Sequence, residues 1–272
     1  GRTSPKSLAS QIQFVRHYFM VNSIYSKEEK QIAIDYIKSA DIETIEIEDL
    51  QKQFEIIVSG YYNDFPQLFP PKLFYRGIRY VNKPTEFHNL IYPPTEKAVI
   101  NRVNAKGESL FYCSDDHDTI FHELSIKEGE RIIMTKWLSI KPILCAIVGY
   151  AKQSFSNLTA LRPNPHNQKH FLHIIGDIIE NEKLEELFSE VFCQKVNDDN
   201  QSHYKVSIAL ARVLLNPKIL DRRIKSIEQL KNSTKPLING IVYPTIKNDA
   251  VSENYCFSKE TIDKNFLEVD QI

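Results

Sequence analysis

The sequence predicts an α+β fold in which a mixed sheet with flanking helices follows an N-terminal helical extension. Helical periodicity of the apolar residues extends to about residue 64, prolines interrupt it at residues 65–71, and short runs of β-branched and aromatic residues then alternate with helical segments. Strands and helices that alternate in this way pack as layers around a shared core. We therefore expect a helical extension at residues 1–70 and a sheet-containing domain at residues 71–272.

Three amphipathic helices are predicted before the prolines, because most apolar residues there recur at spacings of three and four, which is typical of a helix face. The three apolar sets are Leu8, Ile12, Val15 and Phe19; Ile32, Ile34 and Ile37; and Leu50, Phe54 and Ile57. Prolines lack a backbone N–H and favour extended backbone. The stretch from Phe65 to Pro71 is therefore predicted to end the helical part.

Beyond the prolines, strands are predicted where β-branched and aromatic residues cluster, and helices where the apolar spacing is helical. The predicted strands are residues 73–75, 109–112, 131–140, 143–150, 241–243 and 255–257, and the predicted helices are residues 116–127, 167–191 and 204–215. Residues 114–116 supply cap residues for the first of these helices. Its buried stripe is predicted to hold Ile120, Phe121 and Leu124, with Glu123 at the edge of the stripe.

The charge balance and the hydropathy pattern exclude several classes of protein. With 34 basic and 35 acidic residues the net charge is −1, so nothing calls for a nucleic-acid or membrane-surface partner. The longest apolar run, residues 143–151, is too short to cross a bilayer, and no export signal is recognisable. No Cys-x-x-Cys pair occurs, so we expect Cys113, Cys145 and Cys256 to be buried free thiols in a cytoplasmic protein.

The glycines direct attention to arginine as the ligand of any nucleotide. All eight lie too far apart for a dinucleotide-binding fingerprint or a phosphate-binding P-loop. A pyrophosphate would therefore be held by side chains, and the planar guanidinium binds oxyanions in bidentate fashion. Arg76 follows an aromatic run, and Arg102 lies in a polar turn before another. Both are predicted to point from strand ends into a cleft.

Six short motifs follow one another along residues 73–258. They are Phe74-Tyr75-Arg76; Asn101-Arg102-Val103-Asn104 with Gly107; Leu110-Phe111-Tyr112; Phe121-His122-Glu123; Gly240-Ile241-Val242-Tyr243-Pro244-Thr245; and Asn254-Tyr255-Cys256-Phe257. Taken singly, such residues usually have structural roles. Their order resembles the RES domain, a family of NAD⁺-degrading toxins related in fold to ADP-ribosyltransferases, and the resemblance implies an ADP-ribosyltransferase-like sheet.

Two departures from the family pattern affect the candidate site. Asn101 and Val103 stand where the family has glycine and tryptophan, and Thr245 stands where it has its serine. The first departure keeps Arg102 and Asn104, the residues with chemical roles. The second keeps a hydroxyl group, while the added methyl restricts χ1 and narrows the pocket.

The resemblance implies an NAD⁺ glycohydrolase or phosphorylase that cleaves the nicotinamide–ribose bond. Nicotinamide leaves as a neutral ring from a cationic centre, so one carboxylate suffices to stabilise the oxocarbenium-like ribose. The implied catalytic residues are Glu123, Arg102 for the pyrophosphate, and Thr245; the implied substrate-binding residues are Arg76, Tyr112, Asn104, Tyr243 and Asn254. NAD⁺ is the substrate, and neither a further cofactor nor a metal is expected.

The resemblance also implies a biological setting. NAD⁺ depletion would arrest growth, so the chain is interpreted as a toxin or abortive-infection effector that an antitoxin or another regulatory protein restrains. The helical extension is a candidate for regulation or for assembly into a homo-oligomer. Two alternatives stay open: an ADP-ribosyltransferase that modifies a protein or nucleic acid, and a degenerate, non-catalytic NAD-binding regulator.

Three further patterns are interpreted as structural. His166, His170 and His173 have helical spacing that can bring three imidazoles together, but no carboxylate or cysteine completes a metal site. His117 and His122 are five residues apart and are predicted to pack or to lie on the surface. The basic stretch of residues 218–235 has little aromatic interleaving and is interpreted as a solvated face rather than an RNA-binding surface.

Overall fold

The structure is a computed structural model that describes residues 23–59, 67–79, 90–149, 178–216, 238–245 and 252–271. Within these residues the fold is α+β, with eight strands in one mixed sheet and six α-helices around it. The predicted fold class is therefore confirmed at this level. None of the described helices is both long and apolar enough to cross a membrane.

The strands are β1 (Gln67–Phe69), β2 (Leu73–Arg79), β3 (Leu110–Ser114), β4 (Ile132–Ser139), β5 (Ile143–Ile147), β6 (Gly240–Pro244), β7 (Glu253–Ser258) and β8 (Leu267–Gln271). Their order across the sheet is β1-β5-β6-β7-β3-β2-β4-β8. Only the β5–β6 pair is parallel, and the remaining described pairs are antiparallel. All six predicted strands are present.

The helices are α1 (Lys27–Ser39), α2 (Ile47–Ile57), α3 (His117–Glu123), α4 (Ile178–Cys193), α5 (Tyr204–Leu215) and α6 (Lys259–Asp263). The predictions of α1, α2 and α5 are confirmed. The predicted first helix, residues 8–19, lies outside the described residues, as do residues 167–177 of the helix that becomes α4. The histidine set of residues 166–173 and the basic stretch of residues 218–235 also lie outside them.

The structure corrects several local predictions. Helix α3 ends at Glu123 rather than at residue 127, because Ser125 has a φ of 49° and a left-handed residue cannot continue a right-handed helix. Phe121, predicted to be buried, is 41% exposed. Strands β1 and β8 and helix α6 were not predicted, since β1 lies among prolines and β8 is exposed along most of its length.

The sheet is covered on both faces, and alternate residues of the central strands belong to opposite cores. On β6, Ile241 and Tyr243 face the core beneath helices α1, α2, α4 and α5, whereas Val242 faces a second core. That second core contains the aromatic residues Phe74, Phe111, Trp137, Tyr255 and Phe257. The cysteines at 113, 145 and 256 are buried free thiols, as predicted, and burial raises the pKa of each.

The described part of the N-terminal extension shares a core with the sheet-containing domain. Leu50, Phe54 and Ile57 of α2 are fully buried and belong to the same cluster as residues of α4 and α5. The Phe54 ring contacts Phe188 of α4 at a centroid distance of 6.4 Å. Arg212 of α5 also forms a salt bridge with Glu48 of α2. Helix α2 therefore stabilises α4 and α5, which form one wall of the sheet-containing domain.

Candidate active site

A cleft of about 1460 Å³ borders the sheet. Strands β2, β3, β6 and β7 contribute to its floor, and its walls come from α3, residues 97–104 and residues 195–204. Pockets for drug-sized ligands span about 300–1,000 Å³. The cleft therefore has room for a ligand larger than a mononucleotide. Seven of the eight predicted site residues line it, and the eighth, Thr245, lies beside one of those seven.

Glu123, the last residue of α3, is the oriented carboxylate of the cleft. Its Oε1 accepts hydrogen bonds from Thr245 Oγ1 at 2.9 Å and from Asn254 Nδ2 at 2.8 Å. Asn254 pairs with Tyr243 across β7 and β6, which brings both donors to the same end of the sheet. Both donors are buried. Two fixed donors on one oxygen restrict the rotation of the carboxylate.

Tyr112 and Asn104 form a linked pair in the wall of the cleft. The Tyr112 hydroxyl donates to Asn104 Oδ1 at 2.7 Å and accepts from the Val103 N–H at 3.2 Å. The Asn104 amide nitrogen donates to the carbonyls of Val99 and Ala105. Burial raises the pKa of Tyr112 well above its ordinary value. Asn104 thus holds the turn together and fixes the Tyr112 ring, a role that the motif alone did not reveal.

Arg102 is buried and joins three segments of the cleft wall. Its guanidinium donates to the carbonyl of Phe192 and, at 3.1 Å, to that of Gln194, at the C-terminal end of α4. It also packs over the Tyr204 ring at 5.6 Å, and its own carbonyl accepts from Ser207 Oγ at 2.7 Å. A cation at a helix C-terminus is favourable because the last carbonyls carry partial negative charge.

Arg76 is a second guanidinium in the cleft, and burial lowers its pKa to about 10. It donates to the Tyr112 carbonyl at 2.8 Å and to the Leu90 carbonyl at 3.3 Å, and it lies 5.0 Å from the centre of the Phe111 ring. Among the described residues, no carboxylate forms an ion pair with Arg76 or Arg102. Arg102 is buried and Arg76 partly buried, and the lack of a counter-carboxylate among the described residues makes the cleft suited to an anion.

Tyr243 is a further tyrosine of the cleft. Its ring packs against Phe192 at 5.7 Å, and the residue is 7% exposed. Burial raises its pKa well above the ordinary tyrosine value, so the hydroxyl stays protonated. No hydrogen-bond partner for this hydroxyl occurs in the described part of the chain. It is therefore available to a ligand.

Sequence reasoning missed several residues of the cleft. Tyr204 lies at the start of α5 and supports Arg102, and the exposed Phe121 ring and the lysines Lys97 and Lys195 also line the cleft. Tyr204, Lys97 and Lys195 stand in none of the six motifs, and Phe121 was predicted to be buried; the packing of segments far apart in sequence brings them to the cleft. His122, predicted to pack or to lie on the surface, is exposed and lines the cleft.

The described residues contain one group with the spacing of metal ligands. Asp116, His117 and Asp118 place their ligand atoms within 4.8 Å of one another at the start of α3. Asp116 already accepts hydrogen bonds from Thr119, and the other two residues are exposed. Exposed carboxylates of this kind are common at helix N-termini, so this cluster is explained by capping.

The cleft combines one oriented carboxylate with two guanidiniums, aromatic rings and the Tyr243 hydroxyl. This combination can bind an anionic ligand and stabilise positive charge that develops beside the carboxylate. Comparisons of the chain with models of protein families, with curated proteins and with solved structures found no match.

Proposed function

We propose that this chain cleaves the bond between nicotinamide and ribose in NAD⁺. The observation that carries the proposal is the pairing of an oriented carboxylate, Glu123, with guanidiniums that lack a counter-carboxylate among the described residues. NAD⁺ needs both features, because it carries an anionic pyrophosphate and a ribose that becomes cationic as nicotinamide leaves. The motif order that resembles the RES domain supports the same reaction.

Glu123 stabilises the ribose as the bond breaks. The departing nicotinamide is neutral, so no acid has to protonate it, and the electron pair of the broken bond stays on its ring nitrogen. Positive charge then develops on the ribose, and a carboxylate held beside it lowers the energy of that state. Thr245 and Asn254 act through Glu123 and are positioning residues in this scheme.

The arginines hold the pyrophosphate. Arg76 has N–H groups beyond the two that its carbonyl partners use, and an anion would offset the cost of burying its charge. Arg102 contributes further positive charge to the site, while its hydrogen bonds to the end of α4 fix its position. Rings of Tyr112 and Tyr243 offer surfaces against which nicotinamide can pack.

Cleavage is completed by water or inorganic phosphate at the ribose carbon. Water gives ADP-ribose and a proton, and phosphate gives ADP-ribose 1″-phosphate. In this proposal the sheet is an ADP-ribosyltransferase-like sheet, and the chain acts in the cytoplasm as a toxin or abortive-infection effector by depleting NAD⁺. A partner protein would restrain it by covering the cleft.

The test is NAD⁺ turnover by the wild-type chain, by Glu123→Gln and by the control Glu128→Gln, with and without phosphate. Glu128 is exposed and lies outside the cleft. We expect Glu123→Gln to lower kcat by about 10²–10³ and the control to match the wild type. Full turnover by Glu123→Gln would disprove the mechanism.

Labelled NAD⁺ separates this proposal from the other reaction classes. Label that remains on small molecules while nicotinamide is released supports the glycohydrolase or phosphorylase. Label that moves to a protein or nucleic acid identifies an ADP-ribosyltransferase. A folded wild-type chain that binds NAD⁺ and never consumes it is a non-catalytic regulator.

A further inference from the structure

A chain of buried hydroxyl groups connects the two ends of helix α3. Asp116, the N-cap of α3, accepts hydrogen bonds from the N–H and the hydroxyl of Thr119 at 2.9 and 2.8 Å. The Thr119 and Ser252 hydroxyl oxygens are 2.5 Å apart. Because the Thr119 proton points to the Asp116 carboxylate, the Ser252 hydroxyl donates to Thr119.

From Ser252 the connection returns to the other end of the helix. The Ser252 carbonyl accepts from the Thr245 N–H at 3.2 Å, and the Thr245 hydroxyl donates to Glu123 Oε1. These hydrogen bonds thus connect the first turn of α3 with its last residue, Glu123. Thr119 is fully buried and Ser252 is 9% exposed, so water competes little for these bonds.

We propose that Thr119 and Ser252 are positioning residues for Glu123. Their hydrogen bond fixes Ser252 to α3, which fixes the backbone of Thr245 and thereby its hydroxyl against the Glu123 carboxylate. The expected effect of Thr119 and Ser252 on NAD⁺ turnover rests on the proposed function. The structural part of the proposal, the dependence of the Thr245–Glu123 bond on Thr119, stands independently.

The Thr119 hydroxyl has a role beyond capping the helix. The cap itself is the bond from the Thr119 N–H to Asp116, which a side-chain substitution at residue 119 leaves in place. Burial opposes ionisation of Asp116, but the hydrogen bonds from Thr119 outweigh it and lower the pKa of Asp116. The Asp116 carboxylate therefore stays ionised at neutral pH. It continues to accept from the Thr119 hydroxyl, and the Ser252 hydroxyl continues to donate to Thr119.

The variants are Thr119→Val, which removes the hydroxyl at nearly constant shape, Thr119→Ser, which retains it, and Ser252→Ala. Thr44→Val is the control, because the exposed Thr44 also donates its hydroxyl to an aspartate, Asp41, at 3.0 Å and does not line the cleft. We expect Thr119→Val and Ser252→Ala each to lower kcat for NAD⁺ about tenfold with little change in KM. Thr119→Ser should retain most of the wild-type kcat, and Thr44→Val should leave kcat unchanged.

Two further measurements separate positioning from general destabilisation. The double variant Thr119→Val with Ser252→Ala should be no slower than either single variant, since both remove the same bond. Crystal structures of the wild type and Thr119→Val should show the Thr245–Glu123 bond present in the first and lost in the second.

Each outcome decides a different claim. A wild type that does not consume NAD⁺ refutes the proposed function, and the two crystal structures still test the positioning. An intact Thr245–Glu123 bond in Thr119→Val, or an unchanged kcat in an active enzyme, overturns the inference. Loss of kcat that Thr119→Ser does not restore also counts against it.

Discussion

Thr245 donates a hydrogen bond of 2.9 Å to Glu123 Oε1 across 122 residues of chain. The hydroxyl is therefore committed to the carboxylate, and Thr245 does not line the cleft itself. Threonine and serine would serve equally here, since either residue supplies the one hydroxyl that the bond needs. The relationship leads directly to a first prediction.

Removing the Thr245 hydroxyl should slow the reaction without weakening substrate binding. We expect Thr245→Val to lower kcat for NAD⁺ by about 10–100-fold, because Glu123 then loses one of the two donors to its Oε1, while KM stays within about twofold. Thr245→Ser should retain most of the activity. Steady-state kinetics of the three proteins provide the measurement, and a Thr245→Val variant with wild-type kcat contradicts the prediction.

Anion binding in the cleft should be insensitive to pH through the neutral range. Burial lowers the pKa of Arg76 to about 10, so its guanidinium stays charged well above neutrality, and the raised pKa values of Tyr112 and Tyr243 keep both hydroxyls protonated. Calorimetric affinity for ADP-ribose should be constant between about pH 7 and about pH 9, and fall only as the cation loses its proton.

The variant with Lys97→Met and Lys195→Met is the control for this pH dependence. Both lysines are exposed cationic residues that line the cleft. The alkaline fall in affinity should persist in this variant, since we assign it to Arg76. Affinity that declines between about pH 7 and about pH 9 would rule out Arg76 as the principal anion ligand.

Removing the Arg102 side chain should loosen the end of α4. Arg102→Met leaves the carbonyls of Phe192 and Gln194 without their donor, which costs about 1–3 kcal/mol for buried groups. Hydrogen exchange of residues 190–197 should accelerate relative to the wild type. The conservative control Arg131→Lys, at an exposed position, should change neither exchange nor stability. Unaltered exchange in Arg102→Met would refute the anchoring role.

Gly77 should tolerate no larger residue, because α3 packs directly on it. A Cβ at residue 77 would overlap the Ile120 and Leu124 side chains, and overpacking of this kind costs about 1–3 kcal/mol. Gly77→Ala should lower Tm and, by displacing α3, reduce turnover. Adding Ile120→Ala makes room, so the double variant should be more stable than the sum of the single effects predicts. Strict additivity, or an unchanged Tm for Gly77→Ala, would exclude the close contact.

Phe54 should stabilise the whole domain rather than the N-terminal helices alone. It is fully buried against α4, so Phe54→Ala should cost about 3–5 kcal/mol of unfolding free energy in one cooperative transition. The control Lys52→Ala removes an exposed side chain of the same helix and should cost less than about 0.5 kcal/mol. Two separate transitions in denaturant would indicate an independent N-terminal unit.

Many of the strands and helices could be predicted, because the spacing of apolar residues along the chain follows the local secondary structure. The runs that became β3, β5 and β6 are rich in β-branched and aromatic residues, and α2 and α5 have clear apolar stripes. The prediction for Phe121 was wrong, because helical spacing identifies a face without saying how far the neighbouring elements cover it. The exposed strand β8 lacks the apolar alternation by which strands are recognised.

The sequence by itself determined which residues are the candidates for the proposed chemistry: a single carboxylate at the end of a helix, two arginines near strand ends and a hydroxyl after a late strand. Only the tertiary structure decided their partners. It directed the Thr245 hydroxyl to Glu123, Arg102 to the end of α4, and Ser252 to Thr119. Hydrogen bonds need partners within about 3 Å, and strand order and register set such distances between residues more than a hundred positions apart.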